Sequence, residues 1–203
     1  MIQDISYQCY FNLSKVSIRY QRPVFNQKNK ISFILNQENH YYNKYFTEFD
    51  IEINGLKFLL NKEKSNSNYI FSYEYVLAEN LTLFDGNIAT AIMDRGYDEK
   101  KINISYNYKF QTFTTGIKLN NINRKYTSTI AQDELHLNRN HLDQTFSMWI
   151  KFKIRNISHK LTLSNRNRYT KSSENWVEEL KTFKRYDISY TIFFKKILFG
   201  DSK

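Results

Sequence analysis

The stretch KINISYNYKF, residues 101–110, alternates polar and apolar side chains without interruption. Lys, Asn and Ser fill the odd positions, and the even positions carry Ile102, Ile104, Tyr106, Tyr108 and Phe110. Successive side chains of an extended chain point to opposite sides, so this spacing predicts a β-strand with one apolar and one polar face.

Similar alternation runs through most of the chain, and the apolar positions are rich in aromatic and β-branched residues, as is typical of strands. A second clear apolar set is Phe146, Met148, Ile150, Phe152 and Ile154. The pattern predicts about twelve antiparallel strands in one domain, residues 1–203. Asn54-Gly55 predicts a two-residue hairpin. The expected strand bounds are 3–14, 15–22, 30–38, 46–54, 55–64, 67–78, 81–93, 100–110, 112–126, 144–156, 158–170 and 184–197.

The joints between predicted strands alternate in length in the second half of the chain. Residues 110–112 and 156–158 predict tight turns, whereas 127–143 and 171–183 predict long polar loops. The segment SENWVEEL within the last of these predicts one helical turn at most. Tight turns at one end of a sheet and long loops at the other are typical of an up-and-down transmembrane barrel.

Composition excludes several classes of protein. The 203 residues include 30 basic and 20 acidic side chains, for a net charge of +10, but only five Gly, one Pro and one Cys. Collagen-like chains, Pro-rich disordered segments, disulfide scaffolds and multi-cysteine metal sites are therefore excluded. The single Cys9 is interpreted as a small packed side chain of the first strand.

The predicted strands are long enough to cross a bilayer. They run for roughly 8 to 15 residues, against about five or six in water-soluble sheets, and a tilted spanning strand needs about 9 to 11. Aromatic residues recur near strand ends, as in the interfacial girdles of membrane barrels. The sequence thus predicts an antiparallel up-and-down transmembrane β-barrel in the cell outer membrane, in contact with outer-membrane lipids and monomeric. The expected girdle residues are Tyr20, Tyr69, Phe110, Tyr126, Tyr169 and Tyr186. The expected lipid-facing residues are Ile102, Ile104, Tyr106, Tyr108, Phe110, Phe146, Met148, Ile150, Phe152 and Ile154.

The polar faces of two neighbouring predicted strands are basic. We expect a ladder that faces a hydrated lumen, where it biases the lumen toward anions or acidic clients or meets lipopolysaccharide phosphates near the rim. An alternative is a water-soluble all-β module that binds nucleic acid, because basic and aromatic residues interleave in the same region. The charges alternate with apolar residues instead of forming one run, so no nucleic acid is expected as a partner. The ladder consists of Lys151, Lys153, Arg155, Arg166 and Arg168.

The reactive side chains predict no enzyme, no cofactor and no metal. His136 and His141 lie five residues apart in the predicted 127–143 loop, with Asp133, Glu134 and Asp143 nearby. A metal site in this loop is the alternative, but a polar exposed loop explains these residues without a ligand. Ser128, Glu134 and His136 supply the residue types of a hydrolytic triad, but any serine-rich sequence yields such a set.

Four stretches resemble the C-terminal barrel of the surface lipoprotein assembly modifiers of Gram-negative bacteria. Residues 30–75 carry a strand, an Asn/Tyr-rich loop and a Gly-marked hairpin in the family's order. Residues 94–110 match an Arg/Tyr/Asp loop that feeds a strand, and residues 115–126 match a strand that ends in Arg-Lys-Tyr. Residues 165–200 resemble the family's basic strand, long loop and basic–Asp entry into a strand region ending in Phe-Gly.

The resemblance implies a barrel that assists the translocation or surface display of lipoproteins, with a client surface lipoprotein as its partner. A passive outer-membrane pore, or a fragment of one, is the alternative within the same fold. The chain departs from the family pattern because it lacks the periplasmic helical-repeat domain and the last strands. Together with the lack of a leader before Cys9, these departures predict an incomplete barrel that is part of a longer protein.

Overall fold

The computed structural model describes residues 12–24, 26–41, 50–81, 93–155 and 157–194. These ranges contain nine strands and one short helix. The elements are β1 (Asn12–Val24), β2 (Asn26–Tyr41), β3 (Ile51–Glu63), β4 (Ser67–Asn80), β5 (Tyr97–Lys109), β6 (Phe113–Tyr126), β7 (Asn140–Ile154), β8 (Ile157–Lys171), α1 (Asn175–Lys181) and β9 (Phe183–Phe194).

All nine strands belong to one sheet, in which each strand pairs with its neighbours in the chain. Every pairing is antiparallel, so the all-β up-and-down architecture predicted from the sequence is confirmed. Among the described residues β1 and β9 are the two edges of the sheet, and the sheet is open.

The two ends of the sheet differ as the joint lengths predicted. Residues 64–66 and 110–112 make tight connections, and this end is called the tight-turn end. Residues 127–139 and 172–182 form long connections at the other end, called the long-loop end. Within the second long connection α1 is two turns long rather than one, and its Val177 is fully buried.

The predicted Asn54-Gly55 hairpin is wrong. β3 runs straight through this dipeptide, and Gly55 pairs with Asn36 on one side and Val76 on the other. The break predicted between residues 14 and 15 is also wrong, because β1 continues across it and Ser14 pairs with Asn39. In both places the apolar residues change from odd to even positions, and this change of face was interpreted as a turn. Pairing with neighbouring strands along the whole length outweighs a local turn preference.

Five predicted strands extend partly or almost wholly outside the described residues. They are 3–14 before Asn12, 46–54 before residue 50, 81–93 between Leu81 and Met93, 144–156 at its last residue and 184–197 after Phe194. The nine observed strands coincide with eleven of the twelve expected strands, because β1 overlaps both 3–14 and 15–22 and β3 overlaps both 46–54 and 55–64.

Hydrophobic burial is confined mainly to the long-loop end. The buried hydrophobic residues of the described chain are Ile51, Val76, Ala78, Tyr126 and Val177. By contrast, large apolar side chains along the strands are exposed, for example Ile188 (77%) and Ile18 (64%). The sheet has no second layer on its apolar side among the described residues, so its stability does not come from a compact core.

Candidate functional site

The ten residues predicted to face lipid lie on one face of the sheet. Ile104 pairs with Leu119, and Leu119 pairs with Phe146, which places the apolar residues of β5 and β7 on the same side. Phe110 stacks on Phe113 with 4.3 Å between ring centroids, and Phe113 pairs with Phe152. The placement on one face agrees with the sequence pattern, while contact with lipid stays a prediction.

Every strand adds at least two large apolar side chains to this face, and together they form a continuous apolar belt. Besides the ten predicted residues, the belt consists of Val16, Ile18, Tyr20, Ile31, Phe33, Leu35, Leu56, Phe58, Leu60, Tyr69, Phe71, Tyr73, Tyr75, Leu77, Phe113, Ile117, Leu119, Ile157, Leu161, Leu163, Tyr186, Ile188, Tyr190 and Ile192.

The belt is inclined to the hydrogen-bonding direction of the sheet. A line of paired residues from Ile18, the centre of the belt on β1, passes through Leu35, Leu56 and Tyr75 and reaches Lys100 on β5. A line from Tyr190, one residue beyond the centre of the belt on β9, reaches Tyr108 on β5 through Leu161, Ile150 and Thr115.

The two lines meet β5 eight residues apart (108 − 100), and eight pairings separate β1 from β9. The belt therefore shifts by about one residue per strand on average, with more of the shift between β1 and β5 than between β5 and β9. With a rise of about 3.4 Å per residue and a spacing of about 4.8 Å between strands, this shift corresponds to strands inclined by about 35° to the normal of the belt.

Five of the six expected girdle aromatics lie on the apolar face, and the expectation for Tyr126 is wrong. Tyr126 ends β6 on the opposite face, where it is buried beneath the guanidinium of Arg139, 3.9 Å from the ring centroid. The alternation along β6 places it there, since Phe113, Ile117 and Leu119 occupy the odd positions on the apolar face. A tyrosine near a strand end is therefore not by itself a girdle residue.

The opposite face, called the polar face, is held together by ion pairs. Near the long-loop end, Glu99 is only 1% exposed; it forms an ion pair with Lys101 at 2.8 Å and accepts a hydrogen bond from Nε of Arg124. The guanidinium of Arg124 also lies 3.8 Å from the centroid of the Tyr97 ring. Charge pairing and ring contact together hold these buried side chains in place.

The predicted basic ladder lies on the polar face in two separate groups. Arg166 donates to Asp143 at 3.1 Å, and Nε of Arg168 donates to the same carboxylate at 2.9 Å. Lys151 instead pairs with Lys160. It lies six residues along β7 from Thr145, the residue that pairs with Arg166, which is about 20 Å at about 3.4 Å per residue.

The remaining two members of the ladder lie near the tight-turn end. Lys153 pairs with Ser158, and Arg155 lies in the turn with a φ of 55°. The ladder is therefore not continuous. Its arginine half is neutralised in part by Asp143, which the sequence reasoning did not assign to it.

The loop candidates converge on Asp133, whereas the sequence reasoning had chosen Glu134 as the acid of the Ser128–His136 set. Ser128 donates to Oδ2 of Asp133 at 3.1 Å, His136 contacts Oδ1 at 2.9 Å, and the Asp94 N–H donates to Oδ2 at 2.8 Å. Glu134 instead accepts a hydrogen bond from the Trp176 indole of α1. Ser128 and His136 thus share an acid rather than pairing as nucleophile and base, so the arrangement ties residues 93–96 to the 127–139 loop.

The two histidines of this region enclose a tyrosine. The rings of His136 and His141 lie 4.9 and 6.0 Å from that of Tyr126. Burial lowers the pKa of His136, and the adjacent Asp133 opposes this shift only in part. Among the described residues no group of three or more His, Cys, Asp or Glu is placed to bind a metal.

Comparison of the chain with protein-family models, with curated proteins and with solved structures finds no match. In the part of the chain that the structure describes, no helix has the length and apolarity needed to cross a membrane.

Proposed function

We propose that the nine strands form part of the wall of a transmembrane β-barrel in the outer membrane, with acyl chains against the apolar belt. The observation that carries the proposal is the inclination of the belt. Strands of closed barrels tilt by about 35–45°, with a stagger of about one residue per strand in an eight-stranded example. A belt inclined by about 35° to the hydrogen-bonding direction becomes level when the strands take that tilt.

The dimensions of the belt support the same environment. Along β5 and the residue that follows it, the belt extends from Ile102 to Phe110, about 27 Å along the chain and about 22 Å along the barrel axis at this tilt. Membrane barrels carry an outward apolar band about 25 Å tall. Each large apolar side chain moved out of water contributes about 1.5–3 kcal/mol to stability. The free-energy cost of leaving the whole belt in water would therefore exceed the net stability of a typical protein, which is about 5–15 kcal/mol.

Closure of the barrel requires strands beyond the nine. Because the number nine is odd, β1 and β9 run in the same direction, and direct pairing of the two would be parallel. Single-chain bacterial barrels have even numbers of antiparallel strands, and unpaired edges are too costly in hydrocarbon. We therefore propose a barrel in which other strands, of this chain or of a longer protein, lie between β9 and β1.

Within this barrel we propose a role in the translocation or surface display of lipoproteins. The resemblance of four stretches to the surface lipoprotein assembly modifiers supports this role. The polar face offers Asn, Ser, Thr and charged side chains of both signs, which suit a hydrated path along which a hydrophilic client segment could move. No side chain is assigned a reaction.

A passive pore is the second candidate, supported by the excess of cations on the polar face near Arg124 and Arg168. Co-expression of the full chain with a surface lipoprotein reporter in a Gram-negative host separates the two functions. Translocation predicts that protease added to intact cells degrades the reporter only when the chain is present.

Two results would replace this proposal. The pore would be established if the chain inserts into the outer membrane, the reporter remains protected inside the cells, and the chain gives anion-selective conductance in planar bilayers. Recovery of the chain folded in detergent-free buffer would contradict the membrane assignment itself.

A further inference from the structure

A cavity at the long-loop end of the polar face is lined by cations and by no carboxylate. It has a volume of about 230 Å³, and its walls are Arg124, Tyr126, Arg139, His141, Arg168 and Lys181. The four charged side chains come from β6, the 127–139 connection, β8 and α1, elements that are far apart in sequence. The fold therefore brings positive charge from four places to one small space.

Arg139 is a buried cation of this cavity without a paired carboxylate among the described residues. It is 7% exposed, its Nε has no hydrogen-bond partner, and its guanidinium rests on the Tyr126 ring. Among the described residues it makes no ion pair with a carboxylate. A buried guanidinium without a counter-charge is costly, so a nearby anion would relieve it.

The two carboxylates behind the cavity do not neutralise it. Glu99 is shared between Arg124 and Lys101, and Asp143 is shared between Arg168 and Arg166. Each guanidinium has five N–H donors, and the hydrogen bonds of Arg124 and Arg168 use only some of them. Lys181 adds an ammonium group from α1 that makes no ion pair among the described residues.

We propose that this cavity binds a phosphate group. Guanidinium forks match the oxygen geometry of phosphate, and a dianion with several acceptor oxygens can use donors from three arginines at once. The cavity is smaller than the about 300 Å³ or more typical of small-molecule sites, which suits a single phosphate rather than a whole cofactor. Inorganic phosphate and a phosphomonoester on a larger molecule share this chemistry. The site goes beyond the proposed barrel function and does not depend on what the apolar belt contacts.

Isothermal titration calorimetry on the purified full chain tests the site with two probes, inorganic phosphate and a hexose 6-phosphate. Wild-type protein should bind inorganic phosphate, and Arg139→Gln should weaken binding about tenfold or more, the effect of losing a charged hydrogen-bond donor. Arg19→Gln, an exposed arginine on the polar face of β1, is the matched control and should bind as wild type. Equal affinity for the hexose phosphate would show that the site accepts an ester, and binding of inorganic phosphate alone would limit it to the free ion.

A second variant keeps the test decisive if Arg139→Gln does not fold. Lys181→Gln lies on the short helix outside the sheet and should weaken phosphate binding several-fold while the strands remain intact. Absence of phosphate binding to the wild type would overturn the proposal. Unchanged affinity in a folded Arg139→Gln or in Lys181→Gln would overturn it as well.

Discussion

The two faces of the same strands bury opposite kinds of side chain. On the apolar belt, Ile188 is 77% exposed, whereas on the polar face Glu99 is 1% exposed and Asp143 is 4% exposed. A sheet folded in water shows the reverse, because burial of apolar surface supplies most of its stability. The contrast supports the proposal of an apolar medium around the belt, and it shows that ion pairs organise the side facing away from it.

The largest expected effect comes from placing a charge in the belt. Ile104→Lys should destabilise the barrel in lipid by about 2–4 kcal/mol, because a lysine near the bilayer midplane loses its hydration. Urea unfolding in phospholipid vesicles measures this change. Asn103→Lys, one position along β5 on the polar face, is the matched control and should change stability by less than half as much; equal costs would mean that the two faces share one solvent.

Substitution at two strand glycines tests packing on the polar face. At Gly116 a Cβ atom would lie 2.6 Å from the Trp149 ring, whereas at Gly55 the nearest atom is 3.8 Å away. Gly116→Val should therefore cost about 1–3 kcal/mol through overpacking, and Gly55→Val should cost much less. Denaturant midpoints of the two variants in the same detergent decide the matter, and similar losses would contradict the close packing around Trp149.

Removal of one carboxylate tests how far ion pairs stabilise the polar face. Asp143→Asn leaves Arg166 and Arg168 without their shared partner and should cost about 1–2 kcal/mol. The control is Asp187→Asn, whose carboxylate is 42% exposed and pairs with Arg185, and which should cost under about 1 kcal/mol. Thermal unfolding monitored by circular dichroism compares them. A larger loss at Asp187 would show that burial is not what gives the Asp143 cluster its strength.

The smallest expected effect is a pH dependence of the 127–139 loop. Burial lowers the pKa of His136, so the open loop binds more protons than the closed loop as the pH falls below about 6.5. Closure should be weakened below that pH and constant above it. Proteolysis within the loop should therefore accelerate from pH 7 to pH 5 in the wild type and change little in His136→Gln; an equal acceleration in the variant would assign the effect to another group.

Strand alternation was sufficient to predict the up-and-down sheet and the face on which each belt residue lies. It failed where the apolar side changes, as at Ile51 and Ile53, which lie on the polar face near the buried Val76 and Ala78. Toward the long-loop end apolar residues are buried on the polar face instead of joining the belt. A change of the apolar residues from odd to even positions thus marks the end of the belt. The sequence pattern alone cannot distinguish this end from a turn.

The charged clusters could not be predicted because they depend on register. Asp143 reaches Arg168 only through the pairing of β7 with β8, and Arg139 reaches Tyr126 only through the course of the 127–139 connection. The basic ladder was inferred from adjacency of strands, which does not fix which rungs align. One signal was available: His136 and Asp133 are three residues apart in a polar loop, a spacing that allows contact within a turn.

The depth of labelled positions in the bilayer tests the inclined belt most directly. On a Cys9→Ser background, single spin labels are placed at four positions. Ile18, Tyr106 and Tyr190 lie near the middle of the belt on β1, β5 and β9. The fourth position, Lys100, lies on the same line of paired residues as Ile18. Power-saturation electron paramagnetic resonance with oxygen and a polar nickel complex reports the depth of each label. The inclined belt predicts that the first three labels lie equally deep and that Lys100 lies near the interface. Equal depths for Ile18 and Lys100, or free access of the nickel complex to all four positions, would contradict it.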